Sequence, residues 1–174
     1  MAKIKESKVN LYIVDDDEMS LKILRNKFSS CFNYRVYTYR NGHDFLEEFI
    51  RFPFTKRNIH IVILDYAVNL INFEGTSIDL MKKIREINSQ VEIIMVSGIE
   101  DVDVASSAIR SGAVAFIKKN ENSYLRVQNQ VKYIISQKSL DRSKQHNKMA
   151  RVVFVASMVV LAAFAVLVFF TDYL

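Results

Sequence analysis

Residues that interrupt or cross-link a chain are scarce in this sequence. One cysteine, one proline and four glycines are spread over 174 residues. A single thiol permits no intrachain disulfide, and with no secretory signal pattern at the N-terminus it fits a reducing compartment. Cys31 is expected to be a small core-filling thiol. The three histidines, His43, His60 and His146, are scattered. No Cys/His spacing suits zinc, which argues against a transition-metal site. The net charge of +5 is not a diffuse basic surface of the kind that binds nucleic acid. The excess sits in residues 138–151, where Lys138, Arg142, Lys144, Lys148 and Arg151 face one acid, Asp141. The sequence before that segment is nearly balanced.

What is abundant is apolar sequence, at 50% of residues. One run, "VVFVASMVVLAAFAVLVFF" (Val152 to Phe170), has no charge, glycine or proline, and Ser157 is its only polar side chain. A helix of that length spans about 28 Å, close to a hydrocarbon core. A core helix usually keeps a polar stripe, and this run has none. The expectation is a transmembrane helix at 152–170, preceded by a basic juxtamembrane linker at 138–151 and followed by a short external tail at 171–174. Basic residues crowd only the N-terminal flank, so the positive-inside rule puts that side in the cytoplasm. The chain is therefore expected to be tail-anchored, single-pass in the inner (cytoplasmic) membrane, with its larger part facing the cytoplasm. The linker sets topology, and contact with anionic lipid headgroups is a further option. Ala156, Ala162 and Ala163 are small, but without a Gly-x-x-x-Gly pair the signal for helix pairing is weak.

From Lys8 to Gln137 the hydrophobic period switches repeatedly. Short apolar, β-branched runs occur at "VNLYIV", "YRVYTY", "IHIVIL", "VEIIMV" and "AFI". Segments with helical spacing alternate with them. Leu21, Leu24 and Phe28 share one face; "NGHDFLEEFIRF" is closed by Pro53. Thr76 or Ser77 caps a helix that turns Ile78, Met81, Ile84 and Ile87 inward. "DVDVASSAIRSG" ends with Gly112 at the C′ position. The last helix has Leu125, Val127, Val131, Ile134 and Ile135 as apolar positions. Five strand–helix units with near-continuous apolar strands imply an α/β fold, a doubly wound parallel sheet covered on both faces, over residues 1–137.

Ligands of such sheets collect at the carboxyl ends of the strands. There the sequence places Asp15, Asp16 and Asp17 after the first strand, Asp65 after the third and Ser97 after the fourth. Phe116, Lys118 and Lys119 fall on and after the fifth. Carboxylates crowded together at the end of buried strands are costly unless a cation offsets them. Asp15, Asp16 and Asp65 form an oxygen-rich set suited to a hard divalent cation such as Mg2+. Each residue has an ordinary explanation alone, as a helix cap, a turn serine or a solvated lysine. Their convergence on one edge in this order does not.

These motifs, "IVDDDEM", "VILDY", "IIMVSG" and "SGAVAFIKK", resemble the receiver domain of two-component response regulators. The resemblance covers about three quarters of the chain and implies a flavodoxin-like (βα)5 fold. It implies Asp65 as phosphoacceptor, Asp15 and Asp16 with Asp65 as Mg2+ ligands, and the backbone carbonyl of Ala67 as a further ligand. Ser97 is implied as the switch hydroxyl, Phe116 as the switch aromatic, and Lys119 rather than Lys118 as the conserved-type lysine. The phosphoryl donor would be a histidine kinase or histidine phosphotransfer protein, and the chain a phosphoacceptor module rather than an enzyme. Output would be protein–protein contact, homodimerisation included, through the face of the fourth helix, fifth strand and fifth helix. The downstream partner is not readable, and the short linker leaves no room for a DNA-binding unit.

Two features depart from the family pattern. The loop after Asp65, "YAVNLINFEG", is slightly longer and lacks the usual proline. Asn120 replaces the proline that follows the lysine, so the expectation is a trans peptide with Lys119 rerouted, or a strained site. These departures motivate an alternative, a phosphorylation-independent pseudo-receiver acting as a membrane-anchored scaffold. A Mg2+-dependent phosphatase of related sheet type would need a second aspartate where Ala67 stands. Ala67 and Ile99 flank the expected water path and cannot bond a water, so a phosphoaspartate here is expected to hydrolyse slowly.

Overall fold

The computed structural model describes residues 8–55, 57–71, 73–99 and 101–172; the side chains of residues 146, 152 and 159–172 lie outside that description. The chain divides at Ser136, with the described residues before it in one compact unit and those from Ser136 onward in a second.

In the first unit, strands and helices alternate as β1 (Val9–Val14), α1 (Glu18–Cys31), β2 (Arg35–Tyr39), α2 (Gly42–Ile50) and β3 (Ile59–Asp65). They continue as α3 (Ser77–Ile87), β4 (Glu92–Ser97), α4 (Val102–Arg110), β5 (Ala115–Lys118) and the start of α5 (Ser123–Asp172). The strands form one parallel sheet in the order β2-β1-β3-β4-β5. The chain leaves β1 toward one edge and returns to pair β3 on the other side. That reversal makes the β1/β3 carboxyl ends the topological switch point, where a crevice opens.

Strand alternation splits the apolar residues between two cores. Tyr12, Val14, Val62, Leu64, Ile93 and Met95 pack under α2, α3 and α4, with Phe45, Phe49, Leu80, Met81 and Ile84 opposite them. Leu11, Ile13, Ile61, Ile63, Ile94 and Val96 pack under α1 and α5, against Leu21, Phe28, Val127, Val131 and Ile134. A sheet covered on both faces is why β1 and β3 are buried at every position.

Local chemistry sets the helix ends. Asp17 caps α1 by accepting from the Met19 amide. Thr76 caps α3 in a capping box with Asp79, so Ser77 is the first helical residue. Gly112 follows α4 with φ +103°, a left-handed conformation that suits glycine. Gly42 is needed for a different reason: a Cβ there would stand 2.6 Å from Leu70 Cδ2 and 2.8 Å from Leu80 Cδ2. Its N–H donates to the Asn69 carbonyl at 3.0 Å, which ties the loop after β3 to the start of α2.

Two expectations change. Cys31 is exposed at the end of α1 instead of filling the core. On α3 the buried stripe is Leu80, Met81 and Ile84, while Ile78 and Ile87 are only half-buried at its margins. Residues 138–151, read from sequence as a basic linker or a helical extension of the last helix, lie within α5. Among the described residues no helix is long and apolar enough to cross a membrane. The side chains of Val152 and of residues 159–170, most of the span expected from the sequence, lie outside the described ones.

Candidate phosphoacceptor and cation site

The site is assembled by strand register. Val14 pairs with Leu64, so Asp15 and Asp65 emerge side by side at the β1/β3 switch point. Asp65 pairs with Val96, which sets Ser97 one residue further along β4. Ser97 in turn pairs with Lys118, and the Lys119 amide donates to the Ser97 carbonyl at 2.7 Å. That last bond carries β4–β5 pairing one residue beyond the strand and delivers Lys119 to the same edge.

Lys119 Nζ lies 2.9 Å from Asp15 Oδ2 and 3.0 Å from Asp65 Oδ2. All described peptide bonds are trans. Lys119 thus reaches the carboxylates through an ordinary trans peptide to Asn120, neither rerouted nor dependent on a cis bond. Asp15 and Asp65 are 4% and 3% exposed, so the ion pairs are far less screened than surface ones. Burial pushes the Asp65 carboxyl above the ordinary aspartate value; Lys119 and the Ala67 amide oppose the rise, and Asp15 adds to it. Burial also works to lower Lys119, but its bonds to Asp15 and Asp65 outweigh this and hold the ammonium above its usual value.

Asp15, Asp16 and Asp65 each offer a carboxylate oxygen, all within 4.8 Å of one another. Asp16 is exposed, and Asp65 Oδ1 is buried and receives no hydrogen bond of ordinary distance and angle from the described residues. An orphaned buried carboxylate oxygen is costly in isolation. A cluster of three carboxylates and one ammonium carries excess negative charge, and its donors are hard oxygens. Both facts fit a divalent cation of the Mg2+ class. Ala67 lies in the exposed turn after Asp65, and Asp17 is the α1 cap.

Ser97 is 1% exposed, and its Oγ accepts from the Ile99 amide at 3.0 Å, leaving its proton free to donate. Phe116 is half-buried on β5 against the α2–α4 core. Ile99 is exposed beyond Ser97.

Two serines have partners at the site that the sequence did not reveal: Ser20 was not singled out, and Ser77 was read only as a possible helix cap. Ser20 donates to Asp15 Oδ2 at 2.8 Å from the first turn of α1. Ser77 donates to the Tyr66 carbonyl, which ties the start of α3 to the residue after Asp65. A serine in a helix first turn is too common to stand out, and only the folded register gives either one its partner. A cleft of about 330 Å³ opens between α1 and the β5–α5 connection, with Asp15, Asp65 and Lys119 in its wall and Ile13, Ile63 and Val96 beneath.

Comparison with known proteins points the same way. The family model for the response regulator receiver domain matches residues 11–128. The response regulator protein TmoT of Ectopseudomonas mendocina is 30% identical over 109 residues, 63% of this chain and 45% of that protein. The chain thus spans less than half the length of that relative. A CheY-like receiver domain from Methanospirillum hungatei superposes with a TM-score of 0.64 at 18% identity, covering 76% of this chain and 97% of the other. The CheX–CheY–BeF3–Mg2+ complex from Borrelia burgdorferi contains a chain with a TM-score of 0.60 at 25% identity, covering 72% and 88%. Receiver domains bind Mg2+ at an acidic pocket, interact with histidine kinases or phosphotransfer proteins, and dimerise. They are signalling modules, generally not enzymes. With the family model matched across β1 to α5 and the sheet order and acidic edge in place, this chain belongs to the response regulator receiver domain family.

Proposed function

We propose that this chain is a membrane-tethered receiver of a two-component phosphorelay, with Asp65 as its phosphoacceptor. The observation that carries this reading is the bare, buried Oδ1 of Asp65, beside an Oδ2 already neutralised by Lys119. One oxygen is held by the ammonium and the other is open to a cation or an incoming phosphoryl group. The Asp65 carboxylate attacks the phosphorus of a phosphohistidine on a histidine kinase or phosphotransfer protein. An O–P bond forms as the P–N bond breaks, and the imidazole leaves with the electron pair. Lys119 places fixed positive charge where the phosphoryl oxygens gather, and the free Ser97 proton can donate to one of them.

Mg2+ would be held by Asp15, Asp16, Asp65 and the Ala67 backbone carbonyl, and when bound it supplies charge neutralisation for the incoming phosphoryl oxygens. As Ser97 turns to the phosphoryl group, the β4–β5 edge has reason to shift and half-buried Phe116 to turn inward, a local electrostatic event with a packing readout. The signal then passes to a downstream protein or a second copy through α4, β5 and α5, where Val102, Ile109 and Tyr133 are exposed.

The tether rests on the apolar run at 152–170 and the basic residues at 138–151. It would hold residues 1–137 on the cytoplasmic side of the inner membrane. Incubation with acetyl phosphate and Mg2+, followed by phosphate-affinity electrophoresis, tests the chemistry. A shifted band is expected for wild type and none for Asp65→Asn; an unshifted wild type overturns it. Carbonate-resistant membrane retention of the full chain, lost on truncation after Ala150, tests the tether.

A further inference from the structure

We propose that Ser20 is a positioning residue that makes Asp15 a one-oxygen ligand, and that it thereby favours Mg2+ over Ca2+ at the acidic edge. The inference rests on the Mg2+-dependent phosphoacceptor reading above. Three donors hold the Asp15 carboxylate. The Asp17 amide donates to Oδ1 at 3.0 Å, while Ser20 Oγ and Lys119 Nζ donate to Oδ2 at 2.8 and 2.9 Å.

An ionised carboxylate has about two acceptor positions per oxygen. Oδ2 is therefore filled, and Oδ1 keeps one position. Asp15 can turn a single lone pair toward a cation, and cannot rotate to offer both oxygens without breaking these bonds. The site has a further sign of a ligand in Asp65 Oδ1, which is buried and without a hydrogen-bond partner, on a carboxylate that brings one oxygen within 4.8 Å of donors from Asp15 and Asp16.

Cation choice follows from donor count. Mg2+ takes six ligands in near-octahedral array and keeps several waters, so monodentate carboxylates suit it. Ca2+ takes six to eight oxygens at longer range and gains from bidentate carboxylates. Fixing Asp15 in its one-oxygen posture pre-orients it for the smaller ion and withholds the extra oxygen that the larger one would use. Lys119 cannot perform this task alone, because it is shared with Asp65 and leaves Oδ2 one open position. The Ser20 hydroxyl closes that position.

The test is calorimetric titration of the full chain in detergent with Mg2+ and, separately, Ca2+, for wild type, Ser20→Ala and Ser20→Thr. Loss of an outer hydrogen bond to a metal ligand typically weakens affinity by about tenfold or more. Ser20→Ala is expected to weaken Mg2+ by about that factor and Ca2+ by less, so the Mg2+/Ca2+ preference falls. Ser20→Thr keeps a hydroxyl and is expected to hold both affinities within about twofold. A role limited to folding would lower both ions' affinities together, and that result overturns the proposal. So does an Mg2+ affinity unchanged in Ser20→Ala, or a Ser20→Thr that behaves like Ser20→Ala. A wild type that binds Mg2+ and accepts phosphate beside any of these results sinks only the role of Ser20. A wild type that does neither sinks the phosphoacceptor reading with it.

Discussion

The same two strands carry two buried polar clusters, and they solve the cost of burial in opposite ways. At one end of β1 and β3, Lys119 sits between Asp15 and Asp65 and sets an ammonium against the two carboxyl groups. Nearer the other end, Asn10 pairs in register with His60, and the Tyr12 hydroxyl lies 3.0 Å from His60 Nδ1. Among the described residues no charged group contributes to the shift of His60. Its surroundings are rings, with Phe52, Phe54 and Tyr12 centred 5.6, 5.0 and 6.0 Å from the imidazole. Burial therefore pushes His60 down to about 4, and the imidazole stays neutral. A buried polar group beside a counter-charge is left in a reactive setting, and one without it becomes part of the core. Each cluster also retains unpartnered atoms, Asp65 Oδ1 in the first and His60 Nε2 with Asn10 Oδ1 in the second. Only the first lies at a crevice with acidic neighbours.

The sharpest way to break this contrast is to exchange one residue in each cluster. Asp65→Asn is expected to abolish phosphorylation by acetyl phosphate, while His60→Gln labels within about twofold of wild type, because it lies outside the reacting set. Equal loss in both would mean that the two clusters act as one.

The second comparison is acid stability. His60 has a folded value of about 4 against 6.5 ordinarily, so between those values the unfolded chain binds a proton that the native state does not. Stability should fall as pH drops through that window, by up to about 3 kcal/mol. Denaturant unfolding at pH 7 and pH 4.5 reads this, and His60→Gln should flatten the difference.

Next in size is Lys119→Met. Removing one fixed charge from a transferring phosphoryl group should slow phosphorylation of Asp65 by about a hundredfold, read from band-shift time courses at saturating Mg2+. The smallest effect concerns the rim. With Ala67 and Ile99 unable to orient water, the phosphorylated chain should persist for minutes or longer. Ile99→Gln should shorten that lifetime severalfold, followed by loss of the shifted band after removal of the phosphodonor.

The sequence left different parts of this molecule readable to different degrees. All five strands were legible as short apolar or β-branched runs, and the fully buried β1 and β3 most plainly, since a strand covered on both faces needs little polar alternation. Asp65 and the Asp15–Asp16 pair stood out because carboxylates directly after such runs are costly, and their cost is local. Leu80 was missed because a stripe read at strict helical spacing ignores how the helix is rotated against the sheet. Leu125, apolar in sequence, is exposed for the same reason. The rerouting of Lys119 expected with a trans peptide does not occur. The bond between the Lys119 amide and the Ser97 carbonyl holds it in place instead.

Order of elements, strand identity and the inventory of chemistry-bearing residues thus follow from neighbours a few positions apart, where propensity, periodicity and charge cost act. Which oxygen of Asp65 is bare, and how Asp15 Oδ2 is filled beyond its local bond to Ser20, depends on Lys119, 104 residues from Asp15 and 54 from Asp65 along the chain. Those distances close only when β1, β3 and β5 take their places in one sheet, because register and burial, unlike propensity, are properties of the packed whole.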